Sequence, residues 1–385
     1  MNRKLRYAMV GGGPGAFIGA VHRMAAELDG TMELVAGAFS SSAEKSRQAG
    51  EELYLDQDRV YPSWQEMLEA EAARTEDRID FVAIVTPNFL HHPVAKGALE
   101  AGFHVVCDKP MTMTVEESED LCRTVSETGL VFALTHNYTG YPMVKQAREF
   151  VQTGQLGTLR KVVVEYPQGW LSTLLEATGQ KQAAWRSDPA RAGASSALGD
   201  IGTHCENLVQ FITGLEMESL VADLGTVVEG RALEDDASVL IRYKGGARGV
   251  LYCSQISNGE ENALTIRIYG SEGGMEWKQE HPNWLHVRSQ EGPEQIFKRG
   301  NGYLGETAQA ATRIPSGHPE GFIEAFANIY REAERHIRDA ADGNSDGAYD
   351  YPTVQDGARG VHFIHTCIRS SKERAWVDAS YTPPS

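Results

Sequence analysis

Two side chains that could exchange a proton with a substrate lie four residues apart. The segment Gly199-Asp200-Ile201-Gly202-Thr203-His204 begins a predicted helix that runs through Phe211 and ends at Gly214. In an α-helix, residues i and i+4 share one face, so Asp200 and His204 should be neighbours. A carboxylate beside an imidazole can orient it and stabilise its protonated form, as a general base requires. In the structural alternative, Asp200 only caps the helix and His204 is a core histidine.

A lysine stands at the end of a short predicted strand. Asp108-Lys109-Pro110 directly follows the strand-like run His104–Cys107. In a parallel sheet, such strand ends face the ligand crevice. The ammonium group of Lys109 could polarise a substrate hydroxyl and stabilise a developing alkoxide. The alternative is a surface lysine next to a helix-capping acid.

A glycine-rich turn near the N-terminus is typical of dinucleotide binding. Gly11-Gly12-Gly13-Pro14-Gly15-Ala16 follows the apolar run Leu5–Val10 and opens a predicted helix, in the pattern G-x-G-x-x-A. Gly11 permits the tight turn, Gly13 lets the backbone approach a pyrophosphate, and Ala16 keeps the helix close to the sheet. The helix N-terminus offers N–H groups to the anion. The predicted cofactor contacts in this region are Gly11, Gly13, Pro14, Gly15, Ala16, Phe17 and Ile18.

The end of the second predicted strand normally distinguishes NAD from NADP. An acid there would hold the ribose 2′-hydroxyl and disfavour NADP, but this chain has Ser40, Ser41 and Ser42 instead. Ser40 could bond the ribose hydroxyl, or it could join Lys45 around a 2′-phosphate. The serines could also do no more than cap the next helix. We expect NAD, with NADP not excluded, and we expect Ser40, Ser41 and Lys45 to lie at this end of the cofactor.

A third group of polar residues follows the almost entirely apolar run Ile79–Val85. It contains Thr86, Pro87, Asn88 and His91. Pro87 and Asn88 suit a turn against the nicotinamide ribose. All four are predicted at the cofactor edge of the sheet, although His91 could simply begin a helix.

The elements that would position these residues change character along the chain. Over the first 135 residues, strand-like and helix-like segments alternate, which predicts a parallel sheet with helices on both sides. Strand-like runs separated by turn signals then extend from Leu220 to Phe297, as in an antiparallel meander. We expect an α/β Rossmann domain over residues 1–137. An α+β domain with a large, open, mainly antiparallel sheet should follow over 138–385, its last helices packing back on the first domain.

Composition excludes several classes of partner. The 385 residues include 36 basic and 53 acidic side chains, a net charge of −17, which argues against nucleic acid and against an anionic membrane surface. No apolar run is long enough to span a membrane, and no signal peptide is recognisable. Five scattered cysteines without a CxxC pair predict reduced thiols in the cytoplasm. His362, His365 and Cys367 lack the partner set of a metal site, so no metal is expected.

Together these motifs resemble the Gfo/Idh/MocA family of oxidoreductases, over nearly the whole chain. The glycine-rich turn, the tripeptide at 108–110 and the Asp-x-x-x-His helix occur in the family's order, with Asp108 where the family usually has Glu. The resemblance implies that Lys109, Asp200 and His204 form the catalytic set, and it allows a cis bond between Lys109 and Pro110. It also implies a homodimer or homotetramer formed through the C-terminal sheet. Further contacts implied near the cofactor are Asp108, Lys109, Asn137, Trp185 and Arg186.

The resemblance implies oxidation of a secondary hydroxyl of a sugar or anhydrosugar by hydride transfer to nicotinamide. His204 would take the hydroxyl proton, Asp200 would orient His204, and Lys109 would bond the same oxygen. Finer motifs, such as Gly317-His318-Pro319-Glu320-Gly321, resemble sugar-catabolic members and imply levoglucosan, oxidised at C3. The alternatives are an inositol or other polyol or glycoside dehydrogenase, an NAD-dependent glycosidase of the same fold, and a non-catalytic nucleotide-binding sensor. Candidate substrate contacts are Lys109, Asn137, Tyr138, Tyr141, Gln168, Trp185, Asp200, His204 and His318.

Overall fold

The computed structural model describes residues 3–344 and 347–385 of the chain. They fold into two compact units. The first comprises Met1–Asn137, Phe326–Ala358 and Pro383–Ser385, and the second comprises Tyr138–Ala325 and Arg359–Thr382.

The first unit is built on a five-stranded parallel sheet with strand order β2-β1-β3-β4-β5. Every residue of the central strand β3 is buried, because helices cover both faces of such a sheet. The predicted α/β Rossmann domain is therefore confirmed. Its strands are β1 Leu5–Gly11, β2 Met32–Ala38, β3 Phe81–Val85, β4 His104–Cys107 and β5 Phe132–Leu134. Its helices up to residue 137 are α1 Phe17–Glu27, α2 Ala43–Glu52, α3 Trp64–Ala72, α4 His91–Glu100 and α5 Val115–Thr128.

Local sequence signals determine where several of these helices begin and end. Ser42 and Ser63 each accept a backbone N–H bond at the start of α2 and α3. Thr114 and Glu117 form a complete capping box at the start of α5, which ends at Gly129 in the left-handed conformation. These caps satisfy backbone groups that a helix end would otherwise leave unpaired.

The strand order reverses between β1 and β3, and ligands bind at such a switch point in parallel sheets. Gly11 and Val85 are paired across the last register position of these two strands. The glycine-rich turn follows Gly11, and the Thr86 segment follows Val85. The polar segments singled out in the sequence therefore leave the carboxyl edge of one sheet.

The second unit contains a nine-stranded sheet with order β13-β12-β11-β10-β6-β9-β8-β7-β14. All neighbouring pairs are antiparallel except β6 and β9, which run parallel. The predicted large and mainly antiparallel sheet is thus confirmed. The strands are β6 Leu159–Pro167, β7 Met217–Gly225, β8 Asp236–Tyr243, β9 Arg248–Ser254, β10 Thr265–Gly270, β11 Gly273–Lys278, β12 Trp284–Ser289, β13 Gln295–Lys298 and β14 Val377–Asp378.

One face of this sheet is packed and the other is accessible. Along β8, buried and exposed side chains alternate strictly from Ala237 to Tyr243, as a half-buried strand requires. Gly245 and Gly246 both have positive φ in the turn that joins β8 to β9, a backbone conformation that glycine adopts readily in a tight hairpin. The buried face packs on α6 and α9 among other elements.

The remaining helices are distributed along the second half of the chain. The two longest, Phe322–Ala341 and Val354–Glu373, are the helices expected at the end of the chain, whereas the short helices Lys181–Arg186, Pro189–Ala192 and Glu306–Ala310 were not predicted. Among the described residues, no helix is long and apolar enough to cross a membrane. The five cysteines are free thiols and all are buried. These helices are α6 Pro142–Gln152, α7 Lys181–Arg186, α8 Pro189–Ala192, α9 Thr203–Thr213, α10 Glu306–Ala310, α11 Phe322–Ala341 and α12 Val354–Glu373.

Candidate functional site

The glycine-rich turn is packed tightly against its own sheet. A Cβ on Gly11 would lie 2.8 Å from the carbonyl oxygen of Val85, and one on Gly13 would lie 2.6 Å from that of Phe39. The Gly13 N–H also donates to the Phe39 carbonyl, which joins the turn to the end of β2. Gly15, by contrast, has positive φ and open space where its Cβ would be. Gly13 therefore permits close packing within the protein, and Gly15 is the glycine of the turn that faces open space.

The close approach of α1 to the turn involves Gly19 and not the predicted Ala16. A Cβ on Gly19 would lie 2.4 Å from the Cα of Gly12, a distance that no side chain tolerates. Ala16 is only partly buried and serves as the N-cap. The pattern assigns close helix packing to its third position, Ala16. In this chain Gly19, three residues later in the first turn of α1, makes that close contact.

The first unit fits a dinucleotide at this edge of the sheet. Ala16 provides no side-chain acceptor for the first turn of α1, and that turn contains no acid, as suits a helix N-terminus that meets an anion. Two buried polar atoms at strand ends, Oγ1 of Thr86 and Nδ2 of Asn137, have no hydrogen-bond partner among the described residues. A ligand with ribose and amide groups could supply both partners. Phe17 is 66% exposed beside the turn.

The serines after β2 cap the next helix. The Ser42 hydroxyl accepts the N–H of Lys45, and the Ser40 hydroxyl accepts the N–H of Ser42. Ser41 and Lys45 are exposed. The capping interpretation is therefore correct for Ser42, and it is compatible with a ribose contact through Ser40.

His91 supports the cofactor edge indirectly. Its Nδ1 lies 2.7 Å from the carbonyl oxygen of Pro110, and its Nε2 lies 2.9 Å from that of Thr86. Burial lowers the pKa of this imidazole, so the neutral ring donates to only one of them. His91 is also the first residue of α4, as the structural alternative expected, and its predicted cofactor contact stays a prediction. His91 links the segments that follow β3 and β4.

Asp108 orients the backbone that carries Lys109. Its Oδ1 accepts the Lys109 N–H at 2.8 Å and the Thr135 hydroxyl at 3.1 Å. The peptide bond between Lys109 and Pro110 is cis, as the resemblance allowed. Burial, followed by the nearby Lys109 charge, lowers the pKa of His136 to about 3. The His136 imidazole is therefore neutral, and it follows β5 as Lys109 follows β4, at the carboxyl edge of the sheet.

In the second unit, Asp200 lies in a π-helical turn, Leu198–Gly202, and His204 lies in the first turn of α9. The Thr203 N–H bonds the Leu198 carbonyl, five residues earlier. The predicted regular α-helix is thus corrected at Asp200, which lies in a π-helical turn that leads into α9. The shared face of Asp200 and His204 stays a prediction. Such turns occur often at functional sites. Gly202 is closely packed, since a Cβ there would lie 2.7 Å from Cδ1 of Leu198 and 3.0 Å from the Cys253 sulfur.

Two side chains hold the Asp200 carboxylate. Its Oδ2 accepts Nε of Arg186 at 3.1 Å and Nε2 of Gln255 at 2.9 Å. Arg186 also donates to Gln182 and lies over the rings of Trp185 and Trp170, with its guanidinium carbon 4.3 and 5.9 Å from the ring centroids. Arg186 was predicted as a cofactor contact, but within this unit its charge is balanced by Asp200.

An edge-on tyrosine packs against His204. The ring of Tyr138 lies 4.7 Å from that of His204, at an interplanar angle of 74°. The Tyr138 hydroxyl donates to Tyr166 (2.5 Å), Tyr166 donates to Oδ1 of Asn262 (2.6 Å), and Nδ2 of Asn262 donates back to Tyr138 (3.2 Å). This closed ring uses the hydroxyl proton of Tyr138, which is 4% exposed. Tyr138 therefore fixes the position of the His204 ring and does not present its hydroxyl to a sugar.

The same asparagine orients Gln168. Asn262 accepts Nε2 of Gln168 at 2.8 Å, and Oε1 of Gln168 accepts the indole N–H of Trp170 at 3.1 Å. Gln168 is partly exposed, so its remaining donor is held in a defined direction. Tyr141, another predicted contact, is 2% exposed and accepts Gln279, as expected of a core residue.

His318 lies on an exposed loop that a buried arginine organises. Arg299 is 3% exposed and donates to the carbonyls of Ile314, Pro315 and His318. It also forms an ion pair with Glu320, with both side chains 2% exposed. The His318 side chain is therefore displayed from an ordered loop.

Sequence reasoning missed Gln255, Asn262 and Glu234, which all hold predicted site residues or the backbone that bears them. They lie in segments between strands, 36 to 124 positions away from the residues they bond. No local pattern marks them. Among the described residues, no group of three or more His, Cys, Asp or Glu side chains is arranged to hold a metal ion.

Comparison with known proteins identifies both units. Residues 5–138 match the oxidoreductase family with an NAD-binding Rossmann fold, and residues 144–276 match the GFO/IDH/MocA C-terminal domain. An uncharacterised oxidoreductase of Bacillus subtilis, YfiI, is 37% identical over 98% of both chains. Levoglucosan dehydrogenase of Pseudarthrobacter phenanthrenivorans is 28% identical, over 78% of this chain and 80% of its own.

A solved structure extends the likeness to the whole fold. The inositol dehydrogenase homologue of Azotobacter vinelandii, crystallised with NAD+, superposes with a TM-score of 0.94 at 37% identity, covering 98% of each chain. The same homologue was also crystallised with NADH and myo-inositol. The glycine-rich turn, the switch point and the two matched domains lead to one assignment: the chain belongs to the Gfo/Idh/MocA family of oxidoreductases, with an NAD-binding Rossmann fold.

Proposed function

We propose that this oxidoreductase oxidises a secondary hydroxyl of a neutral ring sugar or polyol to a ketone. The observation that carries the proposal is the second-unit arrangement of Asp200 and His204. Arg186 and Gln255 hold the carboxylate, and Tyr138 packs against the imidazole, which is 7% exposed. A fixed carboxylate and a held imidazole on one short segment have the properties of a general base with its orienting group.

Each residue of the proposed catalytic set has a distinct task. His204 accepts the hydroxyl proton, and Asp200 orients the imidazole and stabilises its protonated form. Lys109 donates to the same substrate oxygen and stabilises the negative charge that develops on it. NAD, when bound, accepts the hydride from the carbinol carbon. Residues 1–137 bind the cofactor and 138–385 bind the substrate in this proposal.

The charge distribution supports an uncharged substrate. The guanidinium of Arg186 is balanced by Asp200, and the whole chain has a net charge of −17. An anionic substrate, such as a sugar phosphate, would be repelled by this overall field. Aromatic faces at Trp170 and Trp185 and the fixed amide of Gln168 suit the C–H faces and hydroxyls of a ring.

Two ring compounds are the leading candidates. Levoglucosan, oxidised at C3, is supported by motif similarity and by the 28% identical levoglucosan dehydrogenase. An inositol is supported by a homologue of higher identity and coverage, which was crystallised with myo-inositol. The two candidates share the chemistry of a secondary hydroxyl on a six-membered carbon or pyranose ring.

A substrate panel tests the proposal. Levoglucosan, inositols, glucose and glycosides are each incubated with NAD or NADP, and the absorbance of the reduced cofactor is followed. We expect reduction with a neutral ring polyol, and a loss of about 10²–10⁴-fold in kcat for His204→Ala and Lys109→Ala. Folded variants that keep wild-type turnover would refute the assigned roles. Glycoside hydrolysis without net NADH would favour the glycosidase, and cofactor binding without any turnover would favour the sensor.

We also propose that the exposed face of the nine-stranded sheet mediates self-association into a dimer or tetramer. Apolar side chains form a row in register on four neighbouring strands, namely Val221, Leu240, Val250 and Val163. Leu240 is 49% exposed on this face. Val221, Val250 and Val163 are partly exposed beside it, and a contiguous accessible apolar row supports an interaction surface.

Sedimentation velocity tests the self-association. We expect the wild-type protein to sediment as a dimer or tetramer and Leu240→Lys/Val250→Lys as a smaller species. Leu28→Lys, at an exposed leucine outside the sheet, is the matched control and should leave the sedimentation coefficient unchanged. An unchanged coefficient for the double variant would exclude this face.

A further inference from the structure

We propose that residues 231–235, which we name the clamp segment, position Asp200 for catalysis. This inference rests on the proposed function of Asp200. The clamp segment precedes β8 and has the sequence Arg231-Ala232-Leu233-Glu234-Asp235. Its three charged side chains are buried, with exposures of 7%, 8% and 1% for Arg231, Glu234 and Asp235. Buried charges of this kind must be compensated by specific partners, and those partners lead to Asp200 by three routes.

The first route is the backbone directly before Asp200. Oε1 of Glu234 accepts the Ser195 hydroxyl (2.6 Å) and the N–H groups of residues 196 (2.9 Å) and 198 (3.1 Å). The N–H of residue 197 donates to the Glu234 carbonyl, and that of residue 199 donates to the Ser195 hydroxyl. Asp200 then makes the first bond within the turn, to the Ser196 carbonyl. Glu234 and Ser195 thus satisfy four consecutive amides that a helix start leaves unpaired.

The second route is the segment that delivers Arg186. The Arg231 guanidinium bonds both carboxylate oxygens of Glu176, at 2.8 and 3.0 Å, and the carbonyls of residues 171 and 173 at 2.9 Å. This guanidinium is fully enclosed. It therefore holds the chain that leads into α7, whose last residue, Arg186, donates to Asp200.

The third route is Gln255. The Asp235 carboxylate accepts two N–H groups, of residues 227 and 228, and pairs with Arg231 at 3.1 Å. Its backbone carbonyl accepts the N–H of Gln255 at 2.9 Å. The Gln255 side chain then donates to the Asp200 carboxylate. The Arg186 and Gln255 donors to that carboxylate, and the turn that bears it, therefore depend on five consecutive residues.

Substitutions at Glu234 distinguish a role in positioning Asp200 from a general contribution to the stability of the fold. Glu234→Ala removes the acceptor for three donors, whereas Glu234→Gln keeps an oxygen in the same place. We expect Glu234→Ala to lower kcat by about ten- to a hundredfold, as a displaced catalytic group does, with an unchanged KM for NAD. The pKa of the base in the kcat/KM profile should fall, in the direction given by Asp200→Asn. Glu234→Gln should restore kcat to within about threefold of wild type, since the acceptor geometry matters most here.

Hydrogen–deuterium exchange gives a readout that needs no substrate. Loss of the cap in Glu234→Ala should speed amide exchange over residues 196–200 by about three- to thirtyfold, the range for a lost helix N-cap. If Glu234→Ala does not fold, Ser195→Ala takes its place and should show the same local acceleration. The control is Glu71→Ala, which breaks a buried pair with Arg59 in the first unit and should change neither exchange at 196–200 nor the kinetic pKa.

The outcomes distinguish the two proposals. If the wild-type protein oxidises no ring polyol, the proposed function fails and the exchange data still test the clamp segment. If the wild type is active but a folded Glu234→Ala keeps its kcat, kinetic pKa and exchange at 196–200, the clamp inference is overturned. A loss of kcat in Glu71→Ala equal to that in Glu234→Ala would also overturn it, because general destabilisation would then explain the effect.

Discussion

The cofactor turn and the Asp200 segment bring chemistry to a site in opposite ways. At Gly11–Ala16 the backbone acts, and the residues that shape it lie within the turn or in adjacent strands. At Asp200 a side chain acts. Its carboxylate is held by residues 186 and 255, and the backbone before it is held by residue 234. The first region is therefore encoded by a short pattern, and the second by residues scattered over seventy positions.

This difference determines which substitutions disable each region. A backbone site fails when a single Cβ is added, because the space is occupied by other backbone. A side-chain site weakens when a distant partner is removed, because the group itself remains but loses its direction.

The largest effect is expected at the turn. Gly13→Ala places a Cβ 2.6 Å from the Phe39 carbonyl and should lower NAD affinity by about a hundredfold or more, roughly 3 kcal/mol. Isothermal titration with NAD measures it. Gly30→Ala, at a positive-φ glycine with open space in another turn, controls for backbone strain and should leave affinity unchanged. If Gly13→Ala bound NAD with wild-type affinity, the glycine pattern of the turn would not determine cofactor binding.

A second prediction tests whether the first unit also depends on contacts between residues that are far apart in the sequence. His22, in α1, is fully buried and bonds the Tyr330 hydroxyl at 2.7 Å. Burial lowers its pKa from 6.5 to about 4. The unfolded chain therefore binds this proton more readily between these pH values, so stability is lost as pH falls from about 6.5 to 4. From pH 7.5 to 5 this group should cost about 2 kcal/mol.

Urea unfolding of wild type and His22→Asn at the two pH values measures this contribution. The variant should lose about 2 kcal/mol less than wild type on acidification, whereas the exposed His281→Asn should behave as wild type. Equal acid sensitivity of His22→Asn and wild type would contradict the assignment. The buried His136 and the partly buried His104 and His362 also have lowered pKa values and account for further acid sensitivity in all variants.

The third prediction measures the long-range character of the second region. In a double-mutant cycle of Arg186→Met and Asp200→Asn, we expect a coupling of about tenfold in kcat/KM, or roughly 1.4 kcal/mol. The exposed pair Lys244 and Glu216, at a similar N–O distance, should show no coupling in kcat/KM. Strict additivity of Arg186→Met and Asp200→Asn would mean that the arginine does not act through the carboxylate.

The smallest effect is expected at the end of β2. Ser42→Ala removes the cap of α2 and should lower the free energy of unfolding by about 1 kcal/mol. The ratio of NAD to NADP turnover should stay constant, because the Ser42 side chain is engaged with the helix. Ser63→Ala, which removes the equivalent cap of α3, is the matched control. A changed ratio in Ser42→Ala alone would assign this serine to the cofactor.

Much of the fold was predictable from the sequence, and the limits have a physical cause. Two of the signals are local properties of the sequence. They are the glycine pattern and the alternation of strand-like and helix-like segments that predicted the parallel sheet. The pairing of β6 with β9 joins Val163 to Val250, and no local pattern predicts such a partner. The π turn at Leu198–Gly202 was also missed, since it depends on packing of Gly202 against Cys253 and on capping by Glu234.

The candidate site was predictable in residue type but less so in role. The sequence marks Asp200, His204 and Lys109 as candidates because each of these ionisable residues stands close to a glycine or a proline. Tyr138 was expected to bind sugar, but its hydroxyl is enclosed with Tyr166 and Asn262. Whether a polar tip faces a ligand depends on distant partners, which a single sequence does not reveal.

The first unit is completed by residues that the ribosome makes long after residue 137. Phe326 and Tyr330 pack on His22, Glu334 accepts the Thr31 hydroxyl, and Pro352 accepts the Leu134 N–H. Synthesis at about 5–20 residues per second therefore leaves this face of the nascent unit uncovered for on the order of ten to forty seconds, while residues 138–325 emerge. A fragment ending at residue 137 would keep that apolar face exposed permanently. Chaperone binding during synthesis should accordingly be strongest after residue 137 has emerged from the ribosome and before residue 326 has done so.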